Sequence, residues 1–433
     1  MNSAFSSCLP RKRNPCPKLD TLTFVGSSSS PSTSLGFPKG FQWASATAGI
    51  KASGKPDLAL AFCAGGANAA AMFTSNQVVA APVTIGRRHL QTTGGRVSAI
   101  LVNSGNANCA TGDPGIEACH RSCVALAEQI GGVFDEVFPS STGIIGVPLP
   151  VEKIVAALPD AKSALGASAD HLLAFANAIL TTDTKPKVAR ATIEAEDGRP
   201  VQLFGCAKGA GMIGPQLVPH ATMLVYLFTD LDASPAQLQT MLSPAVEASF
   251  NSISIDGDQS TNDTVLLMAS CKSGVPANEK ILAAFNEALR LVCGSLAHQI
   301  VDDGEGVGHV VTLEITGARN HTEAREIARN IARSPLCKTA WSSADPNWGR
   351  LLCAAGYAGV AFHPATVSIA IAGLPVFAHG IRSPHFDEAA THTAMSAREY
   401  TIAIDLGQGN GHSRFITCDL THEYITINAD YST

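Results

Sequence analysis

Two spacings of hydrophobic residues alternate along the chain, and they predict strands and helices in turn. Short apolar runs predict strands buried in a sheet, and they occupy residues 97–102, 223–228, 264–268 and 310–315. Longer stretches repeat their apolar residues every three or four positions, as one face of a helix requires. These stretches occupy residues 117–130, 167–178, 236–248, 281–299 and 322–332.

Further strand-like runs predict a strand-rich C-terminal region, at residues 400–405, 415–419 and 424–427. A longer apolar stretch, 58–73, contains Gly65, Gly66 and Asn68. A membrane span needs about 18 or more continuous apolar residues, so we interpret this stretch as a buried element and expect no membrane contact. Together the elements predict an α/β or α+β fold, in which layered mixed sheets carry flanking helices.

The composition excludes several classes of protein. The chain has 433 residues, of which 45% are hydrophobic and only 15% charged, so it can bury ordinary cores and is neither a disordered protein nor a small disulfide scaffold. Its formal net charge is -6, from 30 basic and 36 acidic residues. Since the body also lacks a long basic run, we expect no nucleic-acid partner.

Cysteine and glycine patterns argue against metals and nucleotides. None of the 12 cysteines belongs to a Cys-x-x-Cys pair, so a zinc site is not supported, and buried free thiols are expected. The sequence also lacks both glycine-rich signatures for nucleotide phosphates. We therefore expect neither a metal nor a bound cofactor.

Residues 1–40 differ from the rest of the chain. They hold nine serines and a single acidic residue, Asp20, a composition that predicts a disordered extension before globular sequence begins near Phe41. One interpretation is a transit peptide for a plastid or mitochondrion, which is Ser-rich, basic and poor in acids. The other is an extended start without a role. We favour the second, and the expected location is then the cytoplasm.

The most unusual segment is the loop from Lys208 to Thr222, which is rich in Gly and Pro and leads directly into an apolar run. It is either a plain loop before a buried strand, with Thr222 as a good strand former, or the cleavage site of an N-terminal nucleophile. In the second case Thr222 attacks the preceding carbonyl, and hydrolysis of the ester frees its α-amino group. That amine, with a pKa of about 7.7–8.0, can then serve as the base for the Thr222 hydroxyl.

Two other polar segments are candidates for chemistry. Thr142 and Gly143 supply a hydroxyl and a backbone N–H that can stabilise an oxyanion, although a plain turn has the same composition. Residues 256–264 contain Asp256, Asp258 and Asp263 before an apolar run, but the calcium loop of an EF-hand is missing. This segment is either a binding loop or a surface turn.

Nine short segments occur in order between residue 40 and the C-terminus: 49–54 (GIKASG), 103–108 (NSGNAN), 141–146 (STGIIG), 181–183 (TTD), 208–212 (KGAGM), 221–224 (ATML), 260–264 (STNDT), 345–350 (DPNWGR) and 428–431 (NADY). Together they resemble the ArgJ family, the glutamate N-acetyltransferases that are also called ornithine acetyltransferases. The chain departs from the family's usual pattern in a longer loop before Thr222 and in His309, where the family often has Lys.

The resemblance implies a self-cleaving fold of the N-terminal-nucleophile type. Cleavage between Ala221 and Thr222 separates an α chain, residues 41–221 after the extension, from a β chain, residues 222–433, and makes Thr222 the nucleophile. Thr142 and Gly143 then form the oxyanion hole. The implied substrate-binding residues are Thr181, Lys208, Thr222, Glu305, Asn428 and Thr433.

The implied reaction moves an acetyl group from N-acetylornithine to glutamate through an ester on Thr222, in the cyclic route of arginine biosynthesis. Acetyl-CoA is a possible second donor, which would make the enzyme bifunctional. The implied assembly is a heterotetramer of two α and two β chains. Two alternatives stay open: an amidase or aminopeptidase of related fold, with water as the acceptor, and a paralogue that never matures.

Overall fold

A computed structural model describes residues 18–20, 36–215 and 223–430 of the chain. Within these residues the strands form two sheets. The first contains β1 (Lys18–Asp20), β2 (Phe41–Ala46), β3 (Leu58–Phe73), β4 (Arg96–Asn106), β5 (Val137–Ile144), β6 (Lys187–Glu194), β7 (Pro200–Lys208), β8 (Leu224–Thr229) and β10 (Thr264–Ala269). The second contains β9 (Ile253–Ser254), β11 (Val310–Ala318), β12 (Ser368–Ile371), β13 (Leu374–Ala378), β14 (Ile381–Arg382), β15 (Glu399–Asp405) and β16 (Gly411–Cys418).

Both sheets mix parallel and antiparallel pairs. The first has the order β1-β6-β7-β8-β10-β3-β4-β5, while β2 pairs with the first half of β3. Its β8–β10 and β4–β5 pairs are parallel. The second has the order β14-β13-β12-β15-β11-β16-β9. Strands from the two halves of the chain therefore lie side by side in the first sheet.

Helices cover the sheets, as the helical spacing predicts. In the described residues they are α1 (Ala81–Thr92), α2 (Gly112–Ile130), α3 (Val151–Ser163), α4 (Ala169–Ala178), α5 (Pro235–Glu247), α6 (Glu279–Asp302), α7 (His321–Arg333), α8 (Pro335–Ser342), α9 (Trp348–Gly356), α10 (Glu388–Met395) and α11 (His422–Asp430). None of these helices is both long enough and apolar enough to cross a membrane.

Strand β8 shows why the apolar runs are continuous. All six of its residues are buried, because helices pack on both faces of the first sheet. Val225 and Leu227 join the core formed with α5 and α6, while Tyr226 and Phe228 join the opposite core, which includes Phe175 of α4. A strand buried on both faces has no polar alternation, so its sequence reads as one apolar run.

The second sheet packs against α7, α8 and α9 in a separate core. Val310, Ile416 and Cys418 of the second sheet also join the core around α6. The two sheets are thus connected through one helical layer, which brings the end of α6 close to both. The predicted fold class, layered mixed sheets with flanking helices, is confirmed.

Most predicted elements are present, but the strand predicted at 424–427 is wrong. These residues belong to α11. Tyr424 and Ile427 are half-buried in it, as is Thr421 directly before it, while Ile425 is 59% exposed. This inward spacing of three residues is helical rather than the spacing of two that a strand needs.

The N-terminal extension contributes one described element. Its residues 18–20 pair as β1 with β6 in antiparallel register, although the whole extension was expected to be disordered. The other residues before Gly36 lie outside the described part of the chain.

Candidate active site

A cleft that is partly open to solvent lies where the ends of β5, β7 and β8 meet the loop after α6. Its lining includes these predicted site residues: Thr142, Gly143, Thr181, Lys208, Glu305 and Asn428. Ala221, Thr222 and Thr433 lie outside the described residues. Met223, the neighbour of Thr222, lines the cleft, so the described chain that follows the predicted cleavage site starts at the cleft.

The end of β5 places Thr142 and Gly143 in the cleft. Pairing with β4 becomes irregular here, because Asn106 lies opposite both Thr142 and Ile144. Gly143 has a φ of 133°, and a Cβ on it would lie 2.3 Å from the carbonyl carbon of Gly105. Only glycine fits so close an approach. Such a bulge changes the direction of the strand end, and both Thr142 and Gly143 line the cleft.

Lys208, the last residue of β7, supplies a cation. Its Nζ donates to the Thr181 hydroxyl at 2.8 Å and lies 3.8 Å from an Asp183 carboxylate oxygen. Burial lowers the pKa of Lys208, while the negative charges of Asp183 and Glu305 raise it. The ammonium is thus held in a dry site by carboxylates, and it is positioned to meet a negatively charged ligand.

Asp183 organises this corner of the cleft, a role that the sequence analysis missed. Its fully buried carboxylate accepts from the backbone N–H of Thr181 at 3.1 Å and of Gly209 at 2.6 Å. Burial would raise the pKa of Asp183, but the charges of Lys208 and Lys187, together with hydrogen bonds from Lys187 and the Gly209 N–H, lower it. Asp183 therefore stays ionised, and its hydrogen bonds hold Thr181 and Gly209 in place on the Lys208 side of the cleft.

Glu305 provides the opposite charge. Its backbone N–H donates to the Ala210 carbonyl at 2.9 Å, and its carboxylate accepts from Asn428 Nδ2 at 2.8 Å. The carboxylate presses against Gly211, where a Cβ would lie 2.5 Å from Oε2. The glycine-rich stretch after Lys208 thus makes room for this carboxylate.

Asp256 anchors the same stretch from the other side. Its carboxylate accepts from the backbone N–H groups of Met212 at 2.6 Å and Ile213 at 2.8 Å, and from the Tyr424 hydroxyl at 3.3 Å. Burial raises the pKa of Asp256, against the effect of the backbone hydrogen bonds. The 256–264 segment is therefore more than a surface turn, and no cluster of metal-binding side chains occurs in the described residues.

Asn262 and Thr264 fix the entry to β8. The Asn262 side chain donates to the carbonyls of Ala107 at 2.6 Å and Ser141 at 2.9 Å, which ties the start of β10 to the end of β5. Thr264 donates its backbone N–H to the Met223 carbonyl at 2.8 Å. The residue after Thr222 is therefore held firmly beside the Thr142 turn.

His309, which departs from the usual pattern of the family that the sequence resembles, lies beside this site. Its Nδ1 is 3.0 Å from an Asp419 carboxylate oxygen, and Gly308 donates its backbone N–H to the other oxygen at 2.9 Å. In this chain the position supports the loop that follows Glu305.

The family model and two similar known proteins carry the same name, ArgJ. A model of the ArgJ family matches residues 42–433. The arginine biosynthesis bifunctional protein ArgJ of Methylococcus capsulatus is 44% identical over 91% of this chain and 95% of its own length. The protein of the same name from Pseudomonas syringae is 41% identical over 91% of this chain and 96% of its own length.

A solved structure is also similar in sequence. The ornithine acetyltransferase of Mycobacterium tuberculosis, complexed with ornithine, is 39% identical and matches 42% of this chain and 94% of the solved chain, with a TM-score of 0.38.

Proposed function

This chain belongs to the ArgJ family, and on that premise we propose that it transfers the acetyl group of N-acetylornithine to glutamate. It is an enzyme of arginine biosynthesis. One observation carries the proposal: the cleft beside Met223 combines the turn at Thr142 and Gly143, whose hydroxyl and backbone N–H are suitable donors to an oxyanion, with a cation, Lys208, and a carboxylate, Glu305. This set suits acyl transfer between ligands that carry both carboxylate and ammonium groups.

The enzyme first cleaves itself between Ala221 and Thr222. The Thr222 hydroxyl attacks the carbonyl of Ala221, and hydrolysis of the resulting ester leaves Thr222 at the start of a new chain. Its free α-amino group then acts as the base for its own hydroxyl. Met223 supports this step, because its carbonyl is held by Thr264 at the mouth of β8.

Acetyl transfer then occurs in two halves. The Thr222 hydroxyl attacks the acetyl carbonyl of N-acetylornithine, the Thr222 amine takes the proton, and ornithine leaves with that proton on its α-nitrogen. The glutamate α-amine attacks the acetyl ester, and N-acetylglutamate leaves as the Thr222 hydroxyl is restored. In both halves, Thr142 Oγ and the Gly143 N–H donate to the oxyanion.

The substrate charges determine the binding mode. Lys208, next to Thr181, pairs with a substrate carboxylate, while Glu305 and Asn428 receive an ammonium group. Thr433 contributes from the C-terminus. Lys208 is buried, so little water reaches that side of the cleft, and a dry site limits hydrolysis of the ester.

The experiment is an incubation of purified enzyme with N-acetylornithine and glutamate. We expect ornithine and N-acetylglutamate in equal amounts and a protein cleaved before Thr222. Acetate without N-acetylglutamate would instead indicate the hydrolase alternative. Thr222→Ala is expected to stop both cleavage and transfer, and Thr222→Ser to retain some of each. A fully active Thr222→Ala protein would contradict the mechanism.

We further propose an assembly of two α and two β chains, with no metal or cofactor required and acetyl-CoA as a possible second acetyl donor. Intact mass under native conditions measures the assembly, and an assay with acetyl-CoA and glutamate tests the second activity. The proposed location is the cytoplasm, or a plastid or mitochondrion if residues 1–40 are a transit peptide. Fractionation of cells that express the full chain distinguishes these locations.

A further inference from the structure

Behind the cleft, four charged residues alternate in sign: Lys208, Asp183, Lys187 and Asp303. Lys187 Nζ forms salt bridges with both Asp183 and Asp303, and Asp183 also lies 3.8 Å from Lys208 Nζ. The side chains of Lys187 and Asp183 are fully buried, and that of Asp303 is 3% exposed. We call these four residues the buried charge chain.

One end of the buried charge chain holds the cation of the cleft. Asp183 accepts from the backbone N–H groups of Thr181 and Gly209, and Thr181 in turn accepts from Lys208 Nζ. The position of Asp183 therefore sets the position of the Lys208 ammonium.

The other end holds the carboxylate of the cleft. Asp303 accepts from the backbone N–H of Thr184 at 3.0 Å and also from the Thr184 hydroxyl. It follows the last residue of α6 and precedes Glu305 by two positions. Lys187, between the two aspartates, is thus the mechanical link between Lys208 and Glu305.

The cost of burying charges makes the position of the Lys208 ammonium depend on Lys187. Burying an ion costs several kcal/mol unless opposite charges and hydrogen bonds compensate it. Asp183 shares two cations, Lys187 and Lys208. Without Lys187, Lys208 would be the cation left to Asp183 in the buried charge chain, and the ammonium would move towards Asp183 and away from the ligand.

We propose that Lys187 is a positioning residue for ligand selection. By holding Asp183 and Asp303 together, it fixes the separation between the Lys208 ammonium and the Glu305 carboxylate. That separation selects ligands with a carboxylate and an ammonium group at the matching distance. The inference deepens the proposed function and takes the ligand class from it.

The test compares two ligands that differ by one carboxylate, ornithine and 1,4-diaminobutane, by calorimetry on the cleaved enzyme. The double variant Lys187→Met/Asp303→Asn removes one buried positive and one buried negative charge, so the charge balance of the core is kept. We expect it to weaken ornithine binding by about 30-fold and to leave diaminobutane binding nearly unchanged. The milder Thr184→Val, which removes one hydrogen bond to Asp303, should weaken ornithine binding about threefold.

The matched control is Lys185→Met, in the same segment. Lys185 forms an exposed salt bridge with Asp302, so its loss should leave the affinities for both ligands unchanged. Thermal unfolding of every variant shows whether it is folded. If the double variant does not fold, the positioning role is tested by comparing the ornithine affinities of Thr184→Val and Lys185→Met.

Equal loss of affinity for both ligands, or none for ornithine, would overturn the positioning role and leave only a structural one. So would a wild-type enzyme that binds ornithine no more tightly than diaminobutane. Because binding is measured directly, an enzyme that binds ornithine selectively but transfers no acetyl group contradicts the proposed function alone.

Discussion

Single residues in the cleft take their properties from buried neighbours, and Lys208 is the clearest case. Burial lowers its pKa below the ordinary 10.5, in spite of Asp183. We therefore expect the affinity for N-acetylglutamate, which has carboxylates but no titrating amine, to fall as the pH rises through this lowered pKa. The loss of the ammonium removes its attraction for the ligand carboxylate.

The measurement is a calorimetric affinity series between about pH 6 and pH 10. The Lys208→Met variant should bind weakly and without this alkaline fall. An unchanged affinity of the wild type across the range would contradict the pairing of Lys208 with a substrate carboxylate.

Thr142 is the second residue with a separable role. It lines the cleft at the bulged end of β5. We expect Thr142→Ala to lower the rate of acetyl transfer by about 10²–10³, because one donor to the oxyanion is lost. Single-turnover measurement of ornithine release isolates the first half-reaction. Thr142→Ser keeps the hydroxyl and should stay within about tenfold of the wild type; an unaffected Thr142→Ala enzyme would rule out this role.

At the scale of elements, the contact between β4 and β5 determines the shape of the turn at Thr142 and Gly143. A Cβ at Gly143 would collide with the backbone of Gly105. We expect Gly143→Ala to displace the end of β5, to abolish most transfer activity and to lower the free energy of unfolding by about 1–3 kcal/mol. Urea denaturation and the transfer assay measure both effects.

Gly146 is the matched control for Gly143. It also has a positive φ, 81°, but a Cβ there would meet nothing within 4 Å. Gly146→Ala should therefore show the cost of the backbone conformation without the collision. If both variants lose the same activity, the close approach of β4 and β5 is not what forms the turn.

Strands and helices were predictable from the sequence where every residue is buried or where one whole face is buried. β8 and β10 are buried on every residue, and their apolar runs predicted them directly. The helical spacing also predicted α6 and α7, which bury one face each. α11 was wrongly predicted as a strand because residues 424–427 are a short run of aromatic and β-branched side chains, a composition that favours strands.

The site was predictable only in part. The family motifs directed attention to Thr142, Lys208 and Glu305, which the fold brings to one cleft, while their roles stay predictions. Lys187 and Asp303 were missed, because their contact joins positions 116 residues apart. A single Lys beside an apolar run has no pattern that predicts such a partner.

At the scale of the whole molecule, the first sheet combines both products of the predicted cleavage. β8 and β10 follow Thr222 in the sequence, yet they lie between β7 and β3, which precede it. We expect the two fragments to migrate separately on a denaturing gel but to elute together on gel filtration, and to unfold in one transition. Separate elution of the fragments would show that these strand contacts do not hold them together.

The same interleaving constrains how the enzyme can be made. Residues 1–221 produced alone would lack the two middle strands, and the β7 and β3 edges facing that slot would be open to pairing with other copies. In the proposed scheme, the unbroken precursor places these strands in the sheet before the peptide bond between Ala221 and Thr222 is cut. A single precursor that is cleaved after folding therefore avoids the exposed strand edges that two separately translated chains would have before they assemble.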